Sequence, residues 1–293
     1  IERLGYKPSA IAQGLAKSFT TNVGIVIPSA MYSYVANMLS GMTDIAKIYG
    51  YRTTLFVTSP IQEQASEVVE RVISSNVDGV VIFDDQLTEA DIAKFASYQV
   101  PVAVIGRDLT GENVASIPLK YEETLRETIR MHFERGQEKV VFLKMTDGNG
   151  ALMNSLVDVA KNECEKIGKG DFFEVLDIQD SYTKTYQQFL DIFKNRNNFG
   201  FYISPRDSIA CGVLNAARDS NINVPEEVQI ISIIGTKYSQ IVRPSLTIFD
   251  VDMYEVGSIA MRMLTKLLSK SLQTRVYPFY SSIIERNSTR KAK

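Results

Sequence analysis

Apolar and polar positions follow two alternating periods along this chain, and the alternation predicts strands separated by helices. Continuous apolar runs of strand length occur at 23–27, 53–57, 79–83 and 102–105, with segments of helical spacing between them. Such runs are typical of parallel strands that helices cover on both faces. The first part of the chain therefore predicts a doubly wound α/β unit.

The same pattern returns in the second part of the chain. Its predicted strands lie at 139–143, 174–176, 199–203 and 228–234, and a last stretch predicts a strand at 245–251, a helix at 253–268 and a strand at 276–280. The predicted fold class is α/β, with two Rossmann-like lobes that have parallel sheets and are joined by three crossover segments. Crossings of this kind permit hinge closure around a cleft.

The chain has 293 residues, which is longer than most domains with a single hydrophobic core, so two lobes are expected. We expect a helix and linker at 1–21. The N-terminal lobe is predicted to comprise 22–118 with 249–277, and the C-terminal lobe 119–248 with 278–293.

The net charge and the number of cysteines limit which kinds of function the protein can have. The net charge of −2 means that any contact with nucleic acid must be local. Cys164 and Cys211 are the only cysteines, too few for a disulfide framework and spaced for no metal site. We expect a cytoplasmic protein without membrane contact, metal or cofactor.

The opening segment predicts a helix that needs a partner. It begins at Pro8, carries small residues and ends near Leu15, and a helix of about eight residues is marginal alone in water. Three basic residues against one acidic residue in 1–18 give a local charge of +2, which suits phosphate contact. Proteins that bind the minor groove insert apolar wedges such as leucine.

This segment resembles the hinge helix of LacI/GalR-family transcription regulators. The run GLAK at 14–17 carries the resemblance, together with TTNVG at 20–24, VRPSLT at 242–247 and AMRMLTKLL at 260–268. It implies lobes of the periplasmic-binding-protein type, a homodimer and a helix-turn-helix headpiece that precedes this sequence. It also implies operator DNA as a partner. The DNA-contacting residues would be Ala12, Leu15, Ala16 and Lys17.

The block at 260–268 implies a protein partner as well. In family members that act in carbon catabolite control, the matching helix face binds the phosphocarrier HPr phosphorylated on serine. Here that face would be formed by Glu255, Ile259, Arg262, Met263 and Lys266. An ordinary solvated face above an apolar core is the alternative interpretation of the same residues.

The resemblance also implies a cleft for a small-molecule effector, lined by Ser29, Arg107, Leu152, Asp207 and Ile234. In this alignment, Leu152 and Ile234 stand where sugar-binding members carry an arginine and an aspartate. Losing both charged anchors would weaken a sugar by ~3–6 kcal/mol. We therefore expect a different, more apolar ligand, or regulation by a protein partner.

Two other classes of protein remain open at this point. A small-molecule enzyme has little support, because no dinucleotide fingerprint or Walker loop occurs. His132 has no nucleophile nearby in the sequence, and Cys211 lies in an apolar helical run that favours the core. A binding protein of periplasmic type, without a DNA role, would share the two lobes. A hinge helix has no role in such a binding protein, so its presence favours a DNA-binding transcription regulator.

Overall fold

The computed structural model describes residues 19–58, 62–136, 139–146, 150–195 and 200–291, with the backbone alone for 62–65. Within these residues strands and helices alternate, and the predicted α/β fold class is confirmed. The predicted hinge helix lies outside the described residues.

The chain divides into two compact units, each described here by itself. Unit 1 comprises the chain up to Leu119 together with Asp252–Pro278, and unit 2 comprises Lys120–Val251 together with the chain from Phe279 onward. The backbone thus passes from one unit to the other at three places.

The elements of the described residues, in chain order, are the following. In the first part they are β1 (Asn22–Ile27), α1 (Ser33–Ile48), β2 (Arg52–Val57), α2 (Gln62–Ser74), β3 (Gly79–Ile82), α3 (Glu89–Ser97), β4 (Val102–Ile105), β5 (Val114–Ile117) and β6 (Leu119–Lys120). They continue with α4 (Glu122–Glu134), β7 (Val140–Met145), α5 (Ala151–Lys166), a short 3-10 turn at Gly170–Phe172, β8 (Phe173–Ile178), α6 (Tyr182–Lys194), β9 (Phe201–Arg206), α7 (Asp207–Asp219), β10 (Gln229–Ile234), α8 (Lys237–Ile241), β11 (Thr247–Asp250), α9 (Met253–Leu268), β12 (Phe279–Tyr280) and β13 (Ser282–Ile284).

Unit 1 is built on a five-stranded parallel sheet in the order β2-β1-β3-β4-β5. The interior strand β1 is almost continuously apolar because both of its faces are covered, and the residues from Val23 to Ile27 are all buried. The edge strand β2 differs, since Phe56 is its one buried side chain. Burial therefore follows position in the sheet.

Unit 2 has a six-stranded sheet in the order β13-β11-β10-β9-β7-β8. Its strands are parallel except β13, which pairs antiparallel with β11. The sequence does not predict β13 as a separate strand. Its three residues are too few to show a period of their own.

No helix among the described residues is both long enough and apolar enough to cross a lipid bilayer.

Candidate functional site

Helix α9 begins and ends where its sequence predicts. Asp252 caps its first turn, because the carboxylate Oδ1 accepts a hydrogen bond of 3.0 Å from the backbone N–H of Glu255. Its apolar residues recur at helical spacing and pack inward; these include Val256, Ala260, Leu264 and Leu267, all buried. The opposite side of α9 is left to solvent.

The exposed side carries the residues that the resemblance assigns to a protein partner. Glu255, Arg262 and Lys266 are exposed, and Ile259 is half-buried between them and the core. We call these four residues the α9 face. Arg262 and Lys266 lie one helical turn apart, and neither makes an ion pair with a residue of the described chain.

Met263, which the resemblance also places on this surface, is 6% exposed. It follows Arg262 by one position, so it is rotated by about 100° toward the sheet. Its side chain belongs to the core and offers little surface to a partner.

Helix α9 is held unusually close to α1 by two glycines. A Cβ atom added at Gly257 would lie 2.0 Å from the backbone oxygen of Met38, and one added at Gly41 would lie 2.0 Å from the backbone oxygen of Tyr254. The Tyr254 hydroxyl also donates to Asp44 Oδ2 at 2.9 Å. The α9 face therefore stands on a backbone that is fixed within unit 1.

At the carboxyl end of the unit 1 sheet, polar side chains gather after β1, β2, β3 and β4. Asp84 Oδ1 accepts hydrogen bonds from two backbone N–H groups of its own turn, and its other oxygen accepts from the Thr58 hydroxyl. Arg107 Nη2 donates to the Asp84 carbonyl at 2.9 Å. Ser29 is half-buried, and its hydroxyl accepts from the Met31 N–H at 3.2 Å.

One carboxylate at this edge has an altered acidity. The pKa of Asp85 is raised, chiefly because the surrounding protein desolvates it; Arg107 opposes the rise and Asp84 adds to it. Ser29 and Arg107, two of the predicted effector residues, thus lie at a polar and charged edge of unit 1.

The three predicted effector residues of unit 2 lie in a different setting. Leu152 is half-buried near the start of α5, and Ile234 is half-buried at the end of β10. Asp207 is 2% exposed, and its Oδ2 accepts from the N–H and the hydroxyl of Thr236 at 2.5 and 2.7 Å. This carboxylate fastens the β10–α8 turn, although burial raises its pKa against those hydrogen bonds.

Unit 2 also contains an ion pair that the sequence does not predict. Arg206, at the end of β9, is buried and pairs with Asp180, which follows β8. Arg206 Nη2 also reaches Met145 Sδ at 3.7 Å, at the end of the intervening strand β7. Sequence spacing gives no signal for it, because the sheet order brings together segments that are distant in the chain.

The single histidine and the two cysteines of the chain lie in surroundings that do not activate them for catalysis. His132 stacks on Phe201 with ring centroids 4.5 Å apart, and burial lowers its pKa to about 4. Burial raises the pKa of both Cys164 and Cys211 to about 12, so neither is a thiolate near neutrality. Within the described residues, no group of three or more His, Cys, Asp or Glu is placed to hold a metal.

The four residues assigned to DNA contact, at positions 12, 15, 16 and 17, lie outside the described residues. Their roles stay predictions from the sequence.

Comparison with known proteins shows relatives along nearly the whole chain. A family model described as a periplasmic binding protein-like domain matches residues 193–289. Catabolite control protein A of Priestia megaterium is 28% identical over 279 residues, which cover 92% of this chain and 82% of that protein. The HTH-type transcriptional regulator pepR1 of Lactobacillus delbrueckii subsp. lactis is 29% identical, and the match covers 99% of this chain and 86% of that protein.

Solved structures share the fold. The transcription regulator CcpA of Lactococcus lactis superposes with a TM-score of 0.77 at 23% identity, covering 92% of this chain and 99% of that one. A LacI family regulator CCPA from Weissella paramesenteroides with bound sucrose gives a TM-score of 0.78 at 19% identity, covering 92% and 98%.

The matches agree in kind: the relatives that match over most of the chain are transcription regulators, and the chain has a fold of the periplasmic-binding-protein type that it shares with LacI-family regulators of known structure. Within that class, its relatives include catabolite control protein A from several bacteria. The resemblance inferred from the sequence is confirmed.

Proposed function

We propose that this chain is the effector- and corepressor-binding core of a DNA-binding transcription regulator that acts in carbon catabolite control. It would work in the cytoplasm as a homodimer, without enzymatic activity. The names of its relatives support the regulatory role. The observation that carries the corepressor part is the α9 face, where two cations stand exposed without an ion partner in the described chain.

The chemistry of the α9 face fits a phosphorylated protein. A phosphoserine carries about −1.5 to −2 charges near neutrality and three strong acceptor oxygens. Arg262 can bind two of those oxygens with its planar fork, and Lys266 supplies a compact charge one turn further along. Ile259 provides an apolar contact beside them. The partner implied by the resemblance is serine-phosphorylated HPr.

The proposed DNA contact rests on the opening segment. Leu15 would act as the wedge in the minor groove, flanked by Ala12 and Ala16, with Lys17 against the phosphates. A two-fold dimer would place two such segments side by side on a palindromic operator.

A small-molecule effector is a second candidate, because the Weissella relative is described with bound sucrose. The polar edge of unit 1, with Ser29, Arg107 and Asp85, supports such a ligand. The predicted effector positions of unit 2, Leu152 and Ile234, carry no charge that could bind the hydroxyl groups of a sugar. We infer that any effector differs from a simple sugar.

The corepressor proposal is tested by measuring the affinity of the purified protein for serine-phosphorylated HPr. We expect Arg262→Ala and Lys266→Ala each to weaken binding by about 10- to 100-fold, the loss of one charge-assisted hydrogen-bonding group. Lys161→Ala, which removes an exposed cation of unit 2, is the matched control and should bind like wild type. Unphosphorylated HPr should bind weakly to every variant.

Absence of binding by the wild-type protein would refute the corepressor role. Glucose and sucrose titrations on the same samples address the alternative of a plain sugar-binding protein. Micromolar sugar affinity combined with no affinity of the full gene product for DNA would favour that alternative.

A further inference from the structure

The backbone that enters β1 is fastened to the turn that precedes β3. The N–H and the hydroxyl of Thr20 both donate to Asp78 Oδ1, at 2.8 and 2.9 Å. These residues are 58 positions apart, so the two bonds fix the start of the described chain to the interior of unit 1.

Further bonds leave the segment at Thr20–Asn22 little freedom. The Asp78 N–H donates to the Asn22 carbonyl at 2.8 Å, and Arg52 Nη2 donates to the Thr20 carbonyl at 3.1 Å. Thr21 has a φ of +53°, a conformation that non-glycine residues adopt rarely and only where their surroundings impose it. The backbone at Thr20–Asn22 is therefore held in one conformation against unit 1.

The turn that contains Asp78 packs closely against α9. Asp78 is followed by Gly79, where an added Cβ would lie 2.9 Å from Leu264 Cδ1. Leu264 is fully buried on the inner side of the helix whose outer side carries Arg262. The turn that bonds to Thr20 thus packs against the inner side of the helix whose outer side is the α9 face.

One oxygen of Asp78, Oδ1, accepts both bonds from Thr20. Its second oxygen, Oδ2, is buried and has no hydrogen-bond partner among the described residues. The link therefore depends on the Oδ1 acceptor alone, and an asparagine could make the same two bonds to Thr20 through its own Oδ1.

We propose that Asp78 is a positioning residue for DNA binding: together with Thr20 it fixes where the DNA-contacting segment leaves unit 1. This inference rests on the proposed function, since it assumes that residues before Thr20 contact the operator. Asp78 itself does not touch DNA. Its removal should change how well the segment is placed on a specific site, and leave charge-driven binding to any duplex unchanged.

The test uses the full gene product and a palindromic duplex that the wild-type protein has selected from a random-sequence library. Affinity for this duplex and for a scrambled duplex of equal length is measured by fluorescence anisotropy. We expect Asp78→Ala to lower specific affinity at least tenfold and Thr20→Val to lower it about three- to tenfold. Scrambled-duplex affinity should remain within twofold for both.

Conservative variants separate positioning from a general loss of fold. Thr20→Ser keeps the hydroxyl and Asp78→Asn keeps the Oδ1 acceptor, so both should retain specific affinity within about twofold. Thermal midpoints of all four variants are measured alongside. A loss of specific affinity that merely tracks a fall in the midpoint, or wild-type affinity in Asp78→Ala, would overturn the positioning role.

Failure of the proposed function gives a different result. In that case the wild-type protein itself would select no duplex, whereas failure of the inference alone leaves wild type specific and the variants unaffected.

Discussion

The two units of this molecule share one alternation of strands and helices but use their charged side chains differently. In unit 2, Arg206 is paired with Asp180, and Asp207 is bonded to Thr236, so these charges hold the fold together. In unit 1, Arg262 and Lys266 stand exposed on α9 with no ion pair in the described chain. A shared fold therefore does not fix function, which depends on the charged side chains that each unit leaves available to partners.

The two units also differ in how closely their helices pack where they cross. The α1–α9 crossing of unit 1 brings backbones together at Gly41 and Gly257, each with room for no side chain. At the α6–α7 crossing of unit 2, a Cβ added at Gly212 would lie 3.0 Å from the Tyr182 carbonyl, a contact that a small shift can relieve. The helix that carries the proposed partner surface is the more tightly fixed one.

Substitution of these glycines should give the largest effect. Gly257→Ala forces a Cβ to within 2.0 Å of the Met38 oxygen, and we expect a loss of about 2–3 kcal/mol in the free energy of unfolding. Gly212→Ala should change it by about 1 kcal/mol or less, because alanine's better helix propensity offsets a mild contact. Urea unfolding followed by circular dichroism measures both. Equal losses would show that the two crossings are equally close in solution.

The next effect concerns the single histidine of the chain, which lies in unit 2. Burial lowers the pKa of His132 to about 4, below its unfolded value near 6.5, with Arg290 and Arg135 adding to the shift. The stability that neutral His132 gives to the folded state is therefore fully present above about pH 6.5, and it is lost as the pH falls toward 4. We expect roughly 2–3 kcal/mol to be lost through this group between about pH 7 and pH 4.5.

The side chain of the matched variant His132→Gln takes up no proton, so its free energy of unfolding should fall less between pH 7 and pH 4.5 than that of the wild-type protein. Carboxylates titrate in both proteins, so their effect cancels when the two free energies are subtracted. Since there is one histidine, an NMR titration of its ring signals reports its pKa directly. A value near 6.5 in the folded protein would contradict the described burial.

The smallest effect is expected on the α9 face. The double variant Arg262→Ala, Lys266→Ala removes two exposed cations without ion partners in the described chain, so the free energy of unfolding should change by less than about 0.5 kcal/mol. Differential scanning calorimetry checks this. A larger loss would mean that these cations support the fold, and would weaken their assignment to a partner.

The sequence predicts most of the fold because the signals are local. Helix α9 is predicted at 253–268 and observed at Met253–Leu268, since Asp252 provides a cap and the apolar residues keep one period. Strand β13 is not predicted, because its three residues gain their structure from pairing with β11. Local pattern suffices where an element is long and fails where a partner strand defines it.

The candidate site is predicted less completely, for the same reason. The exposure of Arg262 and Lys266 follows from helical spacing, whereas Met263, which the resemblance places on the same surface, is buried. Other contacts join segments that are distant in sequence, so no local residue pattern predicts them. These are the Thr20–Asp78 bonds and the Arg206–Asp180 pair. Asp78 stands out in the sequence only as the residue before the glycine that opens β3.

We propose that a phosphoprotein bound to the α9 face changes the affinity of the regulator for DNA. This is measured as the affinity of the full gene product for its selected duplex, with and without saturating serine-phosphorylated HPr. We expect at least fivefold tighter binding with the phosphoprotein, and no such gain in the Arg262→Ala, Lys266→Ala variant. Identical affinity of the wild-type protein under both conditions would contradict it.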